Sequence, residues 1–586
     1  MKREQERTRR VGPGAKRALC ALLCAAALLA SGCSRQPTVE FEPMPTPAAV
    51  ITPAPTQDVY APAQPVGGVG GDLTVSADPL DQLYAGQWSG QPADGMEQGY
   101  APMQRGDINI GLVLEDQAVL HPLKCTHRDL ISMNELVFES VIELDDNLQP
   151  VGQLADSWSN TGATYTFHLR SGVQFHNGQP LSAQDVYESW RYIVAQGENG
   201  PWYDRVQLIE EMKVLSTDVL EVEFVNPGFL SLYAMTFPVV YRYSLDYALP
   251  MGTGPYWYTN YSVDQYLRLE ANPFWWKKAA KAKSISGWRY PDTASAQQAL
   301  LTGEIDTLAT RSGHVSLYKK LSEYNTVDYS TNIYEMLVPN ITSGAMSDLR
   351  MRQAVMYAVD RTTIAETIYG NMVQESEVPV VPGSYLYETQ AAQYNYSPER
   401  ALQLLHEIGW TDTNGDTMLD TEVDGLLENF TIRLVTYNDN LSNARSDAAY
   451  LIAEQMEKIG VTVEIETVTK SKMANVFKKG EFDLALIAVN LPYTPDLSRL
   501  LMHDGKLNSS GYASKDMNNL LVTARSAQEV SELQAIFSQI QLKIVNELPF
   551  LGMYFHTGAV ISTAQVRSLH GLQELNTWRG MELVEP

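Results

Sequence analysis

Cysteine is scarce in this chain, with four residues among 586. Cys20 and Cys24 fall in an N-terminal apolar segment and Cys33 directly follows that segment, so Cys125 is the one cysteine of the remaining sequence. A lone thiol has no partner for an intramolecular disulfide. No cysteine–histidine signature of a nucleophile surrounds Cys125, and we therefore predict a buried structural thiol.

Basic residues are also few, with 43 Lys and Arg against 69 Asp and Glu, for a net charge of −26. This balance argues against nucleic acid as a partner and against electrostatic adhesion to anionic lipid. Hydrophobic residues make up 44% and charged residues 19%, which is typical of a globular protein. At roughly 150 residues per domain the length predicts about four folding units.

The N-terminal apolar run is too short to span a bilayer. Ala18 to Ala30 is 13 residues long, against the ~20 that a transmembrane helix needs, and a basic stretch precedes it. Residues 1–32 therefore read as a secretory signal peptide. The sequence Leu29-Ala30-Ser31-Gly32-Cys33 resembles the lipobox of bacterial lipoproteins, in which the cysteine is acylated. We expect Cys33 to anchor the protein to the outer face of the bacterial cell membrane, or in the periplasm where an outer membrane exists; the alternative is an ordinary cleaved signal.

Residues 33–105 are rich in Pro, Ala, Gly, Gln and Thr and include the glycine cluster at 67–71. This composition predicts a tether rather than a fold. The alternative is that residues 73–100, which include Trp88, pack on the globular body.

Sequence signatures of common enzyme classes are absent: there is no G-x-S-x-G, no P-loop and no G-x-G-x-x-G that enters a helix. His406-Glu407 begins like a zinc-protease motif but lacks its second histidine. The segment Asp412 to Asp420 partly matches a calcium loop, yet Thr417 replaces the required Gly and Val423 the bidentate Glu. We predict no catalytic residue, no cofactor and no metal site, and an Asx-turn loop at 412–420.

Apolar periodicity predicts strands at 107–114 and 164–170, the second with His168 on its polar face. Ser182 and Asp185 form a capping box for the next helix, and His176 falls in a turn, so both histidines are expected at the surface. Further helices are predicted with Ser347, Thr363 and Ser397 as caps.

The stretch from 430 to 489 reads strand, helix, strand, short helix, strand, which is a βαβαβ unit with three parallel strands. Ligands of such sheets lie beyond the carboxyl ends of the strands. Those ends carry Asn438 and Asn490, which nominates a cleft beside them.

Several segments follow one another in a recognisable order: Leu120-His121-Pro122-Leu123, Leu154-Ala155-Asp156-Ser157-Trp158, residues 165–170, 172–178 and 180–186, Gly252-Thr253-Gly254-Pro255-Tyr256, and residues 349–361 and 397–410. Together they resemble the extracellular solute-binding protein family 5, the oligopeptide, dipeptide and nickel receptors of ABC importers. The resemblance covers roughly residues 107–560.

The resemblance implies an α/β, two-lobed periplasmic-binding-protein-like fold of the large cluster, with an extra subdomain and a cleft that closes by hinge motion. It predicts lobe I with the extra subdomain at 106–315, lobe II at 316–540 and a C-terminal return to lobe I at 541–586.

Peptide receptors of this family pair an Asp with the α-amino group of the ligand. Residues 482–486 align with the segment before that Asp, but Pro492 stands in its place. Asp496 is the candidate substitute for that Asp. The alternative is that Asp496 is a solvated loop acid or a helix cap without a role in binding. Unless Asp496 substitutes, a free amino terminus is expected to add little to binding. The candidate ligand-binding residues are Thr126, His127, Asn438, Asn490, Tyr493, Asp496 and Tyr554.

The expected function is capture of a peptide or peptide-like solute and its delivery to an ABC permease and ATPase, without covalent chemistry, by a lipid-anchored monomer. The alternatives are the same fold with a non-peptide solute, a surface sensor, or an exported hydrolase.

Overall fold

The computed structural model describes residues 105–114, 119–262, 265–423, 426–438, 442–567 and 569–585. The predicted signal peptide, Cys33 and the tether as far as residue 104 lie outside the described residues.

The described chain contains both strands and helices. The strands are β1 (Ile108–Val113), β2 (Ile142–Leu144), β3 (Pro150–Gly152), β4 (Ala155–Thr161), β5 (Thr164–Leu169), β6 (Ile209–Val214), β7 (Val219–Phe224), β8 (Tyr256–Ser262), β9 (Tyr266–Ala271), β10 (Ser284–Tyr290), β11 (Thr307–Thr310), β12 (Tyr324–Pro339), β13 (Val373–Glu375), β14 (Asp420–Val423), β15 (Leu426–Asn429), β16 (Thr431–Tyr437), β17 (Thr462–Val468), β18 (Leu484–Asn490) and β19 (Leu551–Thr563).

The α-helices are α1 (Arg128–Asn134), α2 (Ala183–Val194), α3 (Tyr203–Val206), α4 (Thr293–Thr302), α5 (Val315–Tyr318), α6 (Leu349–Ala358), α7 (Arg361–Thr367), α8 (Pro398–Glu407), α9 (Ala444–Glu457), α10 (Met473–Lys479), α11 (Ser498–Leu501), α12 (Lys515–Ser526) and α13 (Val530–Glu547).

The local patterns that predicted β5 and α2 are confirmed. Tyr165, Phe167 and Leu169 of β5 are buried while His168 is exposed, as strand alternation requires. Helix α2 begins with the predicted capping box, in which the Asp185 carboxylate accepts from the backbone N–H of Ser182 at 3.0 Å.

Two predicted helix caps are wrong, one by a single residue and the other by three. The cap of α6 is Asp348 rather than Ser347, and the cap of α7 is Asp360, whose carboxylate accepts from the Thr363 backbone N–H at 3.0 Å. A carboxylate at this position also interacts favourably with the helix dipole, which a hydroxyl does not. The cap of α8 is Ser397, as predicted.

Most strands belong to one 11-stranded mixed sheet with the order β17-β16-β18-β12-β19-β11-β1-β10-β9-β8, and β13 pairs with β19 beside this path. Strands β16, β17 and β18 are parallel, with α9 and α10 between them in sequence, so the predicted βαβαβ unit is confirmed.

Strands β12 and β19 are long and antiparallel, and they connect two halves of the sheet. Residues 324–330 of β12 pair with 557–563 of β19, next to β11; after a register shift between Ser330 and Tyr334, β12 pairs with the other half of β19 and with β18. We call the β11, β1, β10, β9 and β8 half lobe I, and the β18, β16 and β17 half lobe II. The chain thus passes twice between the lobes, in neighbouring strands, which is the geometry of a two-stranded hinge.

A separate four-stranded antiparallel sheet, β4-β5-β7-β6, forms the extra subdomain of lobe I. The C-terminal segment contacts the end of β2: the Gln573 side-chain amide donates to the Asp145 carbonyl at 2.5 Å, and Arg579 donates to the Leu144 carbonyl at 2.6 Å. Trp578 is buried in this contact region. The predicted boundaries at 315 and 540 stay predictions, because the passage between lobes occurs within β12 and β19.

Candidate functional site

A cavity of about 350 Å³ lies where the two lobes meet the crossing strands. Lobe I contributes residues of the 144–148 segment, Tyr233 and the C-terminal turn at 572–574. The crossing strands contribute residues 328–332 and Phe555, and lobe II contributes 379–386 and 491–497. Such a position, between parts that hinge against each other, is where a two-lobed protein would enclose a ligand.

The lobes contact each other through backbone hydrogen bonds, one of which involves the cavity-lining residue Tyr385. The backbone N–H of Tyr385 donates to the Asn147 carbonyl at 2.9 Å, and the N–H of Phe229 donates to the Ala527 carbonyl at 2.7 Å. The structure therefore holds a closed arrangement of the lobes.

The side chain of Gln528, in the link between α12 and α13 of lobe II, makes further contacts with lobe I. Its Oε1 accepts from Asn160 at 2.6 Å and from the Tyr165 hydroxyl at 3.1 Å, and its Nε2 donates to the Pro227 carbonyl at 3.0 Å. These bonds need a glutamine with both amide atoms in reach of the extra subdomain, so they form only when the lobes are together.

Tyr493 of lobe II contacts lobe I through both its ring and its hydroxyl. The Arg205 guanidinium lies over the Tyr493 ring at 3.8 Å from the centroid, and over the Trp202 ring at 4.4 Å on lobe I itself. The Tyr493 hydroxyl donates to the Glu574 carbonyl at 3.3 Å. Burial raises the pKa of Tyr493 and lowers the pKa of Arg205. Each group offsets part of the other's shift, because the Arg205 charge lowers the pKa of Tyr493 and Tyr493 raises the pKa of Arg205.

Glu135 of α1's C-terminus lies within electrostatic reach of this stack. Burial raises the pKa of its carboxyl to about 8, and the positive charge of Arg205 offsets part of the rise. Near neutral pH the protonated form of Glu135 predominates beside Arg205.

Carboxylates are the charged groups of the cavity wall: among the described lining residues there are four acidic side chains and no Lys, Arg or His. Each has a basic partner outside the lining. The pairs are Asp146 with Arg579 at 3.3 Å, Asp328 with Lys319, Asp496 with Arg525 at 2.8 Å, and Glu574 with Arg311. The remaining wall is largely apolar, with Leu148, Val380 and Phe555 among its side chains.

Two of the sequence-predicted residues, Tyr493 and Asp496, line the cavity. Asp496 is already engaged through both carboxylate oxygens: Oδ1 accepts from the Ser498 backbone N–H at 2.9 Å and Oδ2 from Arg525 at 2.8 Å. Asp496 therefore bonds to the first residue of α11, whose N-cap is Leu497, and adds an ion pair with Arg525.

The other predicted residues do not line the cavity. Asn490 is exposed at the end of β18, and exposed Asn438 bonds with Ser446. Tyr554 is fully buried in lobe II, where its hydroxyl donates to the Arg361 carbonyl at 2.8 Å.

Thr126 and His127 lie at the start of α1, away from the cavity lining. Thr126 is exposed, and the His127 ring caps the helix by accepting from the Asp129 backbone N–H at 3.3 Å. The structure therefore brings together the residues after β18 but not those taken from the opposite lobe.

Glu574, Tyr329 and the 379–386 segment line the cavity and were not found from the sequence. Tyr329 lies on β12, whose alternation marks it as buried without showing that it faces a ligand site. Glu574 is one of 69 acidic residues and lies in a turn without any periodic pattern, so no local signal distinguishes it.

The described residues contain no group of three or more His, Cys, Asp or Glu arranged to hold a metal ion. In the loop at 412–420, Asn414 Oδ1 accepts from the Asp416 backbone N–H at 2.8 Å, and Asp416 Oδ1 accepts from the Met418 backbone N–H at 2.9 Å. These are Asx-turn contacts. No helix in the described ranges has the length and apolar character that crossing a membrane requires.

Comparison with known proteins agrees with this geometry. A profile of the bacterial extracellular solute-binding proteins, family 5, middle region, matches residues 149–511. The oligopeptide-binding protein AppA of Bacillus subtilis is 23% identical over 483 residues, which are 78% of this chain and 87% of AppA. The nickel-binding periplasmic protein of Escherichia coli is 22% identical over 458 residues, 74% of this chain and 86% of that protein.

Among solved structures, that of a nickel ABC transporter from Bacillus halodurans superposes with a TM-score of 0.70 at 18% identity, covering 80% of this chain and 98% of that one. The two-lobed α/β fold and the family resemblance are both confirmed. Because the matched region is more than half of the sequence, the chain belongs to the bacterial extracellular solute-binding proteins, family 5.

Proposed function

We propose that the protein captures a peptide or peptide-like solute between its lobes and delivers it to an ABC permease and its ATPase. The observation that carries this proposal is the cavity of about 350 Å³, walled by lobe I, the crossing strands and lobe II. This volume is at the lower end of the ~300–1,000 Å³ range of small-molecule sites, which favours a short ligand. Binding at such a place is coupled to closure, because both lobes must be in position to complete the wall.

The wall has the mixture that a peptide needs. Apolar side chains such as Leu144, Val381 and Leu572 offer pockets for side chains, while Ser330 and Asn332 offer neutral hydrogen-bonding groups for a backbone. The similarity to AppA, described as an oligopeptide-binding protein, supports the same reading.

Native mass spectrometry of the purified full chain tests this proposal, since a solute enclosed between closed lobes is expected to survive purification. We expect a monomer that carries the mass of a short peptide or peptide-like molecule. A chain that carries no solute, and whose thermal unfolding midpoint is unchanged by a pool of short peptides, would contradict the proposal.

A non-peptide solute is the second candidate, and Pro492 favours it, because it stands where peptide receptors of the family place the amine-binding Asp. The nickel-binding periplasmic protein of Escherichia coli is a relative that is described as binding a ligand other than a peptide. A bare metal ion finds no ready ligand set among the described residues. The mass of the retained solute decides between these candidates.

We further propose that Cys33 carries a lipid that holds the protein on the outer face of the cell membrane. Cys33→Ser is then expected to release the protein into the medium or to leave it unprocessed. Ser34→Ala, a change beside the proposed acylation site, is a matched control and is expected to stay with the membrane. A Cys33→Ser protein that is cleaved yet remains membrane-bound would contradict lipid anchoring.

We also propose that the site binds without turnover. Incubation with the peptide pool is expected to return every peptide intact, as judged by mass spectrometry. Progressive cleavage that scales with the protein concentration would favour the exported hydrolase instead.

A further inference from the structure

The charges of the cavity wall are compensated within the protein. Each of its four carboxylates pairs with a basic side chain outside the lining, and even Glu574, the most buried of them with a side chain 10% exposed, pairs with Arg311. A ligand ammonium that approached one of these carboxylates would approach the basic partner as well. The attraction and the repulsion largely cancel, so the wall offers a cation little net stabilisation.

A negatively charged group of a ligand would find no counter-charge on the wall. Among the described lining residues there is no Lys, Arg or His. The Arg205 guanidinium is not part of the lining: it lies over the rings of Tyr493 and Trp202 and donates to the Thr236 hydroxyl at 2.9 Å. A carboxylate enclosed here would lose its water without gaining a basic partner, which opposes binding strongly.

Lobe II lines the cavity with two segments of the same pattern. Residues 379–382 and 492–495 both have the spacing P-x-x-P. Proline has an apolar ring, no backbone N–H and a restricted backbone conformation. Four positions of this wall therefore provide no backbone donor for a ligand, and Val380, Val381 and Leu491 beside them are apolar.

Two hydroxyl donors of the wall are also committed. The Tyr233 hydroxyl donates to the Leu148 carbonyl at 2.8 Å, and the Tyr493 hydroxyl donates to the Glu574 carbonyl at 3.3 Å. The hydroxyl oxygens keep lone pairs for a neutral donor such as an amide N–H, but neither hydroxyl has a proton left for a carboxylate. The wall therefore suits amides and carbon surface rather than ionised groups.

We propose that the solute held in this cavity is uncharged and largely apolar: a short peptide with blocked termini, a cyclic dipeptide or a peptide-like molecule of the same character. The inference rests on the proposed function and narrows its ligand class. A cavity of about 350 Å³ favours a short ligand, and in a short linear peptide both ionised termini would be enclosed with the rest. Affinity then comes from buried apolar area and from lobe closure instead of ion pairs with the ligand.

A matched ligand series tests this inference by calorimetry on the full chain. One apolar tripeptide is prepared free, N-acetylated, C-amidated and blocked at both ends, and a cyclic dipeptide is the fifth probe. We expect the doubly blocked form to bind at least about tenfold more tightly than the free form, with the singly blocked forms between them. The affinity of the doubly blocked form should change by less than about twofold between low and high salt, because no ion pair forms with the ligand.

The blocking groups add atoms as well as removing charge, so a second comparison separates the two effects. The doubly blocked tripeptide is prepared with lysine, glutamate or glutamine at its middle position, and glutamine is the neutral analogue of similar length. We expect the lysine and glutamate forms to bind at least about tenfold more weakly than the glutamine form. Equal binding of the three forms would show that the wall accepts charge and would overturn the inference.

Pro492→Asp introduces a carboxylate at a lining position and is expected to change the order of the series. The C-amidated form, which keeps a free amine, should gain about tenfold relative to the doubly blocked form. Pro273→Asp, at an exposed proline of lobe I outside the lining, is the matched control and should keep the wild-type order. Thermal unfolding midpoints show whether each variant is folded, and the wild-type series stands even if Pro492→Asp is not.

The outcomes separate this inference from the function on which it rests. If the free tripeptide binds as tightly as the doubly blocked form, the uncharged ligand class is overturned while peptide binding stands. If Pro273→Asp shifts the order as much as Pro492→Asp, the overall charge of the protein decides and the inference is overturned. If no peptide binds and native mass spectrometry finds a neutral non-peptide solute, the ligand class stands while the proposed peptide function fails. A retained solute with ionised groups at neutral pH overturns the inference.

Discussion

The guanidinium of Arg205 in lobe I lies over the ring of Tyr493 in lobe II, with the Arg205 Cζ atom 3.8 Å from the ring centroid. The Tyr493 hydroxyl reaches the carbonyl of Glu574, also in lobe I. One side chain from lobe II thus makes both a cation–π contact and a hydrogen bond across the cavity. Because these contacts exist only while the lobes are together, they contribute to ligand affinity through closure.

Tyr493→Ala is expected to weaken binding of the solute found by native mass spectrometry by about 2–30-fold, the equivalent of a cation–π contact worth roughly 0.5–2 kcal/mol. Tyr493→Phe keeps the ring and loses only the hydrogen bond, so its loss should be smaller. Calorimetry measures the affinity, and small-angle scattering measures the compaction on binding. Tyr450→Ala, at an exposed tyrosine of α9, is the control. If Tyr493→Ala binds as tightly as the wild type, the stack does not support closure.

Gly228 of lobe I lies close against the backbone of lobe II. A Cβ atom at this position would lie 2.2 Å from the Arg525 carbonyl oxygen and 3.1 Å from that of Ala527. The φ of Gly228 is 179°, an extended value open to any residue, so alanine is excluded by the neighbour and not by its own backbone. The closed arrangement therefore depends on the absence of a side chain at Gly228.

Gly228→Ala is expected to hinder closure and to reduce ligand affinity by about 5–150-fold, from an overpacking cost of roughly 1–3 kcal/mol. The thermal midpoint without ligand should change little, because open lobes relieve the contact. Gly313→Ala is the control, since its Cβ would meet only the Tyr369 carbonyl oxygen at 3.7 Å. Unchanged affinity and unchanged scattering profiles in Gly228→Ala would show that the lobes close by another path.

The fold could be predicted from the sequence because the evidence for it lies in short segments and in the order of those segments along the chain. The βαβαβ unit follows from apolar periodicity, and Tyr493 reaches the cavity because it directly follows the carboxyl end of β18. The family segments define the order of the elements, which then assemble as expected.

The cavity wall from lobe I escapes prediction because distant parts of the chain create it. Glu574 lies beyond the last strand, in a turn that the Gln573–Asn576 backbone pair defines, and only the fold brings it to Tyr493. His127 was a candidate from lobe I, but its ring is used to cap α1.

Cys125 is fully buried, and burial raises the pKa of its thiol to about 11. The thiolate is the reactive form, so at pH 8 this shift from 9 leaves about a hundredfold less of it than in the unfolded chain. Alkylation of Cys125 by iodoacetamide, followed by peptide mapping, should be at least about a hundredfold slower in the native protein than in urea. Fast native labelling would contradict the prediction of a structural thiol.

His176 shows how a distant segment overrides a local pattern. The turn signal predicted a surface histidine, as is confirmed for His168, but the prediction for His176 is wrong: its residue is 3% exposed. The ring Nδ1 of His176 accepts from the Gly252 backbone N–H at 3.2 Å. The backbone N–H of His176 donates to the Gly252 carbonyl at 3.0 Å. Burial lowers the pKa of the His176 ring to about 3, which holds the imidazole neutral in the folded chain.

This shift predicts a specific loss of stability in acid. The folded pKa of His176 is below the value of 6.5 that the unfolded chain has, so the contribution is fully present above pH 6.5 and declines as the pH falls toward 3. The free energy of unfolding then falls by up to about 1.4 kcal/mol per pH unit, or about 2 kcal/mol between pH 6.5 and 5.

His176→Gln keeps an acceptor for Gly252 without a titrating ring, and is expected to lose less stability over this interval. Urea unfolding midpoints between pH 7.5 and 5 measure the difference, with exposed His168→Gln as the control that should follow the wild type. Parallel profiles for the wild type and His176→Gln would show that His176 is not held neutral by burial.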